Sequence, residues 1–393
     1  MQAIDQEWHR LPSGSDFMRT VIHLAFVLAM LSGTRFASAQ DFAVLYSFSG
    51  GGDAQLPLGS VLAVNGDLYG TTMWGGENFG TVFKLDKNGN ETILHVFTGG
   101  ADGQQPYAGL IVGMGGYGYG TTPWGGAHGG GTVYAMKRNG GKAILHSFNG
   151  ATGANPMCLL VQDAAGNLYG TAGTVFKLNG HKLTVLHTFS GGDGLSPVAG
   201  LLLNSGYLYG TTVKGGTGGG GTIFKLKLDG SNFTTLYNFT GGADGGHPYS
   251  TLIRDAAGNL YGTTSQGGDL SCSVNSSVGC GAVFKIDARG EETVLYRFTG
   301  LDGAIPMAGL VADGKGGFYG TTQSGGDLNF GTIFEITADG QESVAHSFNF
   351  DDGAFPYAGL TKDTEGSFYG TTEYGGRGGC PGSGCGTVFR LTP

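Results

Sequence analysis

The stretch Leu68-Tyr69-Gly70-Thr71-Thr72, followed from Gly80 to Leu85 by Gly-Thr-Val-Phe-Lys-Leu, decides the fold because it recurs. Its tyrosine returns at Tyr119, Tyr169, Tyr209, Tyr261, Tyr319 and Tyr369, a spacing of roughly fifty residues that marks a repeat architecture. Outward from the tyrosine, each unit runs on through a segment such as Ile93-Leu94-His95-Val96-Phe97. A turn-rich Asp-Gly-x-x-Pro segment and an Ala-Gly-Leu run then lead to the next tyrosine. Four short apolar runs bounded by Gly, Asp, Asn and Pro read as four antiparallel strands per unit: A (Ala-Gly-Leu), B (Tyr-Gly-Thr-Thr), C (Gly-Thr-Val-Phe) and D (Leu-His-x-Phe). Seven such units predict an all-β fold, a seven-bladed β-propeller.

The ends of the repeat array favour a closed ring. The first run, Phe42 to Phe48, is a lone D strand, and the last, Gly386 to Leu391, is a C strand. Pairing them closes the last blade with the N-terminal strand and leaves no unfinished edge. An open β-solenoid would leave both part-repeats unpaired and in need of caps.

Composition agrees with a large all-β core. Glycine supplies 80 of 393 residues, 40% of the chain is hydrophobic and only 13% is charged. The 21 Lys+Arg against 30 Asp+Glu give a net charge of −9 with no basic cluster, which argues against a nucleic-acid partner and against anionic lipid. The one long apolar run, Val21 to Leu31, follows Arg19 and precedes Ala37-Ser38-Ala39. That order is a signal peptide's, and the run is short for a bilayer span, so residues 1–39 are read as an N-terminal extension and signal peptide cleaved after Ala39. The polar stretch before Met18 suggests that the native start is Met18. Residues 40–393 are then the propeller, secreted or periplasmic, without a membrane span after cleavage, and a monomer.

Five cysteines fit export. Cys272 and Cys280 bracket one B–C loop, Cys380 and Cys385 bracket another, and each pair reads as a local disulfide. Zinc would want C-x-x-C spacing or a neighbouring histidine, which neither pair has. Cys158 lies in the apolar run Pro156-Met157-Cys158-Leu159-Leu160 and reads as a buried, inert thiol.

The tandem Leu-Tyr-Gly-Thr-Thr, Gly-Gly, Gly-Thr-Val-Phe and Phe-x-Gly-x-x-Asp-Gly elements resemble the GloVer repeats of bacterial surface and secreted proteins, whose members vary in how they are anchored. The resemblance spans essentially Gln40 to Pro393. It implies a bacterial exported repeat protein and carries no catalytic residues to transfer. The chain ends at Leu391-Thr392-Pro393 without a hydrophobic tail, so a released or periplasmic form is expected.

Several motifs tempt and then recede. The aspartates of Asp102-Gly103, Asp193-Gly194, Asp244-Gly245, Asp302-Gly303 and Asp352-Gly353 offer one carboxylate per loop, which suits a self-capped turn better than calcium. His95, His146, His187 and His346 share one register of strand D with Tyr46, Tyr237 and Tyr296. Interchange with tyrosine on the outermost strand means packing at the rim, where side chains cannot converge on a metal. No metal and no cofactor is expected. Outside the repeat pattern, His128, His247, Glu77, Glu373 and Lys214 form no Ser/His/Asp or paired-carboxylate set.

What remains is the position before each Gly-Gly doublet: Trp74, Trp124 and Tyr374 in three consecutive blades, but Lys214, Gln266 and Ser324 elsewhere. In a closed ring those aromatics make an arc on the loop face, flanked by Glu77, His128, Glu373 and Arg377. Rigid aromatic faces beside polar groups suit sugar rings or a protein surface. The sequence thus favours a binding or adhesion module for an extracellular glycan or surface protein over a polysaccharide-active hydrolase or lyase, or a structural envelope component.

Overall fold

In a computed structural model, residues 40–275, 278–380 and 382–393 are described. The expected signal peptide and its cleavage site lie outside the described residues. Seven four-stranded antiparallel sheets follow one another, each ordered A-B-C-D from the inside out. The last has strands A at Thr361–Lys362, B at Phe368–Thr372 and C at Thr387–Thr392, and takes its D strand, Asp41–Ser47, from the N-terminus. The fold is the expected seven-bladed β-propeller, and Asp41–Thr392 forms one compact unit.

The repeated residues explain the ring. In strand B the first threonine of Tyr-Gly-Thr-Thr donates to a backbone carbonyl of the next blade's inner segment. Thr71 donates to Ala108 at 2.8 Å, Thr121 to Cys158 at 3.2 Å, and so on to Thr371, which closes the circle on Gly59 at 3.1 Å. The second threonine meets the threonine of Gly-Thr-Val-Phe, as Thr72 does Thr81 at 2.7 Å. The glycine of the string is required by close approach: a Cβ on Gly70 would lie 2.4 Å from Cζ of Phe83, which packs across it.

Between blades the core is aromatic. The phenylalanine ending each D strand meets the strand C aromatic of the next blade edge to face, from Phe48–Phe83 at 5.2 Å round to Phe348–Phe389 at 5.3 Å. Such pairs add about 0.5–1.5 kcal/mol each beyond the area they bury. Every C–D pair carries a β-bulge at one register, and the N-terminal strand repeats it between Val44 and Tyr46.

One strand differs from expectation. Ala-Gly-Leu is not strand A; the pairing begins just after it, at Leu62–Val64 in the first blade and Ile111–Val112 in the second. Ala-Gly lines the central channel instead, where seven chains crowd the axis: a Cβ on Gly109 would sit 2.1 Å from the Ser60 carbonyl oxygen. Small residues are there for clearance rather than for strand formation.

Candidate functional site

The D–A loop positions the site. It opens with the turn aspartate, whose carboxylate accepts from a backbone N–H and from the His or Tyr of strand D: Thr98 N and His95 for Asp102, Ser190 N and His187 for Asp193, Thr240 N and Tyr237 for Asp244. The recurrent histidines and tyrosines therefore stay on the rim, as the register implies, and each holds a loop. Six of the seven meet the turn aspartate's carboxylate, to which imidazole N–H and phenol O–H both donate, while His146 meets Thr152 Oγ1 at 3.4 Å.

The loop then turns inward through a residue of positive φ immediately before the proline. This holds in all seven blades, at Leu56, Gln105, Asn155, Ser196, His247, Ile305 and Phe355, with φ between 54° and 58°. For a β-branched residue such as Ile305 that conformation is strained. Its backbone N–H is anchored on the preceding blade, as Phe355 N donates to the Phe330 carbonyl at 2.8 Å. The turn aims the residue after each proline at the axis, so Leu58, Tyr107, Met157, Val198, Tyr249, Met307 and Tyr357 line the channel, a cavity of about 320 Å³. Sequence reading missed these seven, because convergence on an axis has no one-dimensional signature. The signal available was the variable residue between an invariant proline and a small-residue pair.

On the loop face, the residue before each Gly-Gly doublet is bridged to its D–A loop: Trp74 to Gln55, Trp124 to Gln104, Tyr374 to Ala354. Trp74 and Tyr374 come together. With Gln55, Leu56, Cys380, Ser383 and Gly384 they line a pocket of about 340 Å³ between the last and first blades. Trp124 occupies the equivalent place in the second blade but is not part of that lining. Glu77 and His128 are exposed, and Arg377 is exposed in an ion pair with Asp351 at 3.4 Å. Glu373 is half-buried. Burial pushes its carboxyl above the ordinary range. The Tyr107 and Tyr357 rings meet edge to face at 5.3 Å, and burial raises both phenols.

The disulfides form as expected, Cys272 with Cys280 and Cys380 with Cys385, and Cys158 is free and buried. The second bridge sits over Gly50, where a Cβ would meet Cys380 Sγ at 2.7 Å, and beside Gln55. It thus braces the segment that carries the N-terminal strand into the first blade. Disulfides point to an oxidising compartment, extracellular or periplasmic. Among the described residues, no helix is long and apolar enough to cross a membrane, and no group of three or more His, Cys, Asp or Glu could hold a metal ion.

A family model described as the Gloeobacter/Verrucomicrobia repeat matches residues 31–173 and 171–389. No curated protein matches the chain. Among solved structures, the chain is similar to an oligogalacturonate lyase in complex with manganese, with a TM-score of 0.53 at 10% identity over 91% of this chain and 94% of that one. It is also similar to a gluconolactonase from Xanthomonas campestris, with a TM-score of 0.47 at 13% identity over 90% of each. Likeness at such identities concerns the fold alone.

Proposed function

This chain belongs to the Gloeobacter/Verrucomicrobia repeat family, and we propose that it is an exported binding module whose loop-face pocket between Trp74 and Tyr374 takes an extracellular carbohydrate. The observation that carries the reading is that the two aromatics, from blades that are neighbours only because the ring closes, line one pocket with Gln55 and Ser383. Aromatic faces stack on the apolar faces of sugar rings, while amide and hydroxyl groups at their edge hydrogen-bond the sugar hydroxyls. Trp124, Glu77, His128 and Arg377 extend the same face for a longer chain or for a surface protein. Cleavage after Ala39 would release the propeller, residues 40–393, as a soluble monomer.

Catalysis of glycoside hydrolysis by the usual route needs two carboxyl groups about the scissile bond. The residues that line the Trp74–Tyr374 pocket include no acid, so binding is the better reading. The test is a glycan array on the mature chain, followed by titration of the best ligand into Trp74→Ala and Tyr374→Ala. Each substitution should weaken binding at least about tenfold with little change in melting temperature, because both side chains are partly exposed. Unchanged affinity, or loss only through unfolding, would sink the assignment. N-terminal sequencing of the exported protein should begin at Gln40.

A further inference from the structure

The channel lining breaks sevenfold regularity in two successive layers. In the layer formed by the residue after each proline, four blades carry an aliphatic side chain or Met and three carry tyrosine, at Tyr107, Tyr249 and Tyr357. Two residues deeper, the first, third and fifth blades present Ser60, Leu159 and Thr251, and the others have glycine, at Gly109, Gly200, Gly309 and Gly359. Side chain and glycine thus alternate round the ring until the sixth and seventh blades, where two glycines are neighbours. The first three glycines are imposed by packing. A Cβ would meet the Ser60 carbonyl oxygen at 2.1 Å from Gly109, Thr251 Oγ1 at 2.8 Å from Gly200 and the Thr251 carbonyl oxygen at 2.6 Å from Gly309. At Gly359 the nearest atom to a Cβ is the Gly309 carbonyl oxygen at 3.5 Å, an ordinary contact, and φ is not positive. The fold therefore does not need glycine there, and what its absence of a side chain leaves is room. The channel deepens on this side: beyond the glycine layer it reaches Ile253, Leu310, Val311 and Leu360, all from the fifth, sixth and seventh blades.

We propose that this lopsided chamber binds a neutral, compact molecule of one or two rings bearing a hydroxyl group, with its apolar body against Ile253, Leu310, Val311 and Leu360 and its hydroxyl at Tyr249 and Thr251. The cavity of about 320 Å³ falls at the small end of ligand sites, which run roughly 300–1,000 Å³ and are mostly apolar with a few convergent polar groups. Among the described residues, none that lines the channel is charged. An ammonium or a carboxylate would lose its hydration there with no countercharge, which costs far more than burying a hydroxyl that finds a hydrogen-bond partner. Such partners are present. The Tyr249 and Thr251 hydroxyls can each donate and accept, and neither has a hydrogen-bond partner among the described residues. A polyol fits less well, because its remaining hydroxyls would face Leu159, Val198 and Met307. The chamber shares no lining residue with the rim pocket and does not depend on that pocket's taking carbohydrate.

The test is calorimetric titration of the mature chain with naphthalenemethanol, naphthoate and naphthylmethylammonium of the same ring isomer, which share a shape and differ in charge. The alcohol should bind with one site per chain, and each ion at least about tenfold more weakly. Gly359→Leu gives the seventh blade the residue that the third already carries at that place, Leu159, and should remove alcohol binding by filling the chamber. Tyr249→Phe, which lacks only the hydroxyl, should weaken the alcohol by about threefold or more. Should Gly359→Leu fail to fold, Gly359→Ala reads the same space, since its methyl meets nothing closer than 3.5 Å, and it should still weaken the alcohol. No alcohol binding by folded protein at millimolar concentration, equal binding of either ion, or full affinity in the folded variants would overturn the proposal.

Discussion

At Glu91, Glu292 and Glu342 the first residue of a D strand puts a carboxyl beneath the turn aspartate of the preceding blade. Glu91 lies near Asp53 and Tyr46, Glu342 near Asp302 and Tyr296, and Glu292 near Asp244 and Tyr237, each glutamate with a buried carboxyl oxygen that has no hydrogen-bond partner. Burial, then the neighbouring carboxylate, pushes Glu91 up to about 8 and the other two up to about 7. A folded-state value above the unfolded one means that protonation favours the fold. The contribution is complete below the unfolded value of 4.5 and is lost as pH rises through about 7 to 8. Stability should therefore fall between pH 5 and 9, by about 2 kcal/mol for Glu91 once solvent screening of a half-exposed group is allowed for. Glu91→Gln should flatten that part of the profile in denaturant titrations at a series of pH values; an unaltered profile would remove Glu91 as the cause. The pattern is readable in the sequence once the fold is known, because glutamate follows each tyrosine blade. Three of the four histidine blades are followed instead by Lys142 at Asp102, or by rings stacked on the histidine, Phe233 on His187 at 3.7 Å and Phe42 on His346 at 3.6 Å; Leu183 holds that register after the His146 blade. Cys158 obeys a similar rule. Its Sγ accepts from Thr171 N at 3.1 Å where Ser250 Oγ accepts from Thr263 N at 3.0 Å, so Cys158→Ser should cost within about 1 kcal/mol. A larger loss in the melting curve would mean that apolar packing of the sulfur dominates.

Among the elements, strands B, C and D were legible because each combines β-branched or aromatic residues with punctuating glycines, and closure was legible because the two termini carried complementary halves of one blade. Strand A was not, since an apolar run at the axis is shaped by crowding and reads like any short strand. The N-terminal strand is the element on which the ring depends. It pairs with Thr387–Thr392, and the segment it begins continues to Phe48, buried against Phe83 of the next blade. Removing Asp41–Phe48 exposes the edge of Thr387–Thr392 and empties that aromatic contact, so the truncated chain should aggregate or unfold. A monomer of unchanged melting temperature by light scattering and calorimetry would contradict the closed ring. The tight hairpin of the third blade was also legible, because Tyr169 to Thr174 leaves no room for the Gly-Gly loop.

At the scale of the whole molecule, sevenfold regularity is the background against which function stands out, and the aromatics before the Gly-Gly doublets were legible as departures from it. The channel tyrosines were not, because what distinguishes them is convergence on the axis, which a closed ring creates and a linear sequence does not display. The same reasoning separates the two disulfides, which are alike in sequence. Cys380 lines the rim pocket and its bridge lies against Gln55 of that pocket, whereas Cys272–Cys280 packs into the core between the fifth and sixth blades, outside both cavities. On the loop-closure argument each bridge contributes about 2 kcal/mol, the loops being short. Replacing either pair by serine should therefore lower stability by a similar amount, while only Cys380→Ser with Cys385→Ser should loosen Gln55 and the Trp74–Tyr374 pocket. Titration of the carbohydrate ligand into both double variants, each well below its melting temperature, should show weaker binding in that variant alone. Equal weakening in both would mean that the bridges act through stability of the ring as a whole, and unchanged binding in both would place the carbohydrate away from the pocket that Cys380 borders.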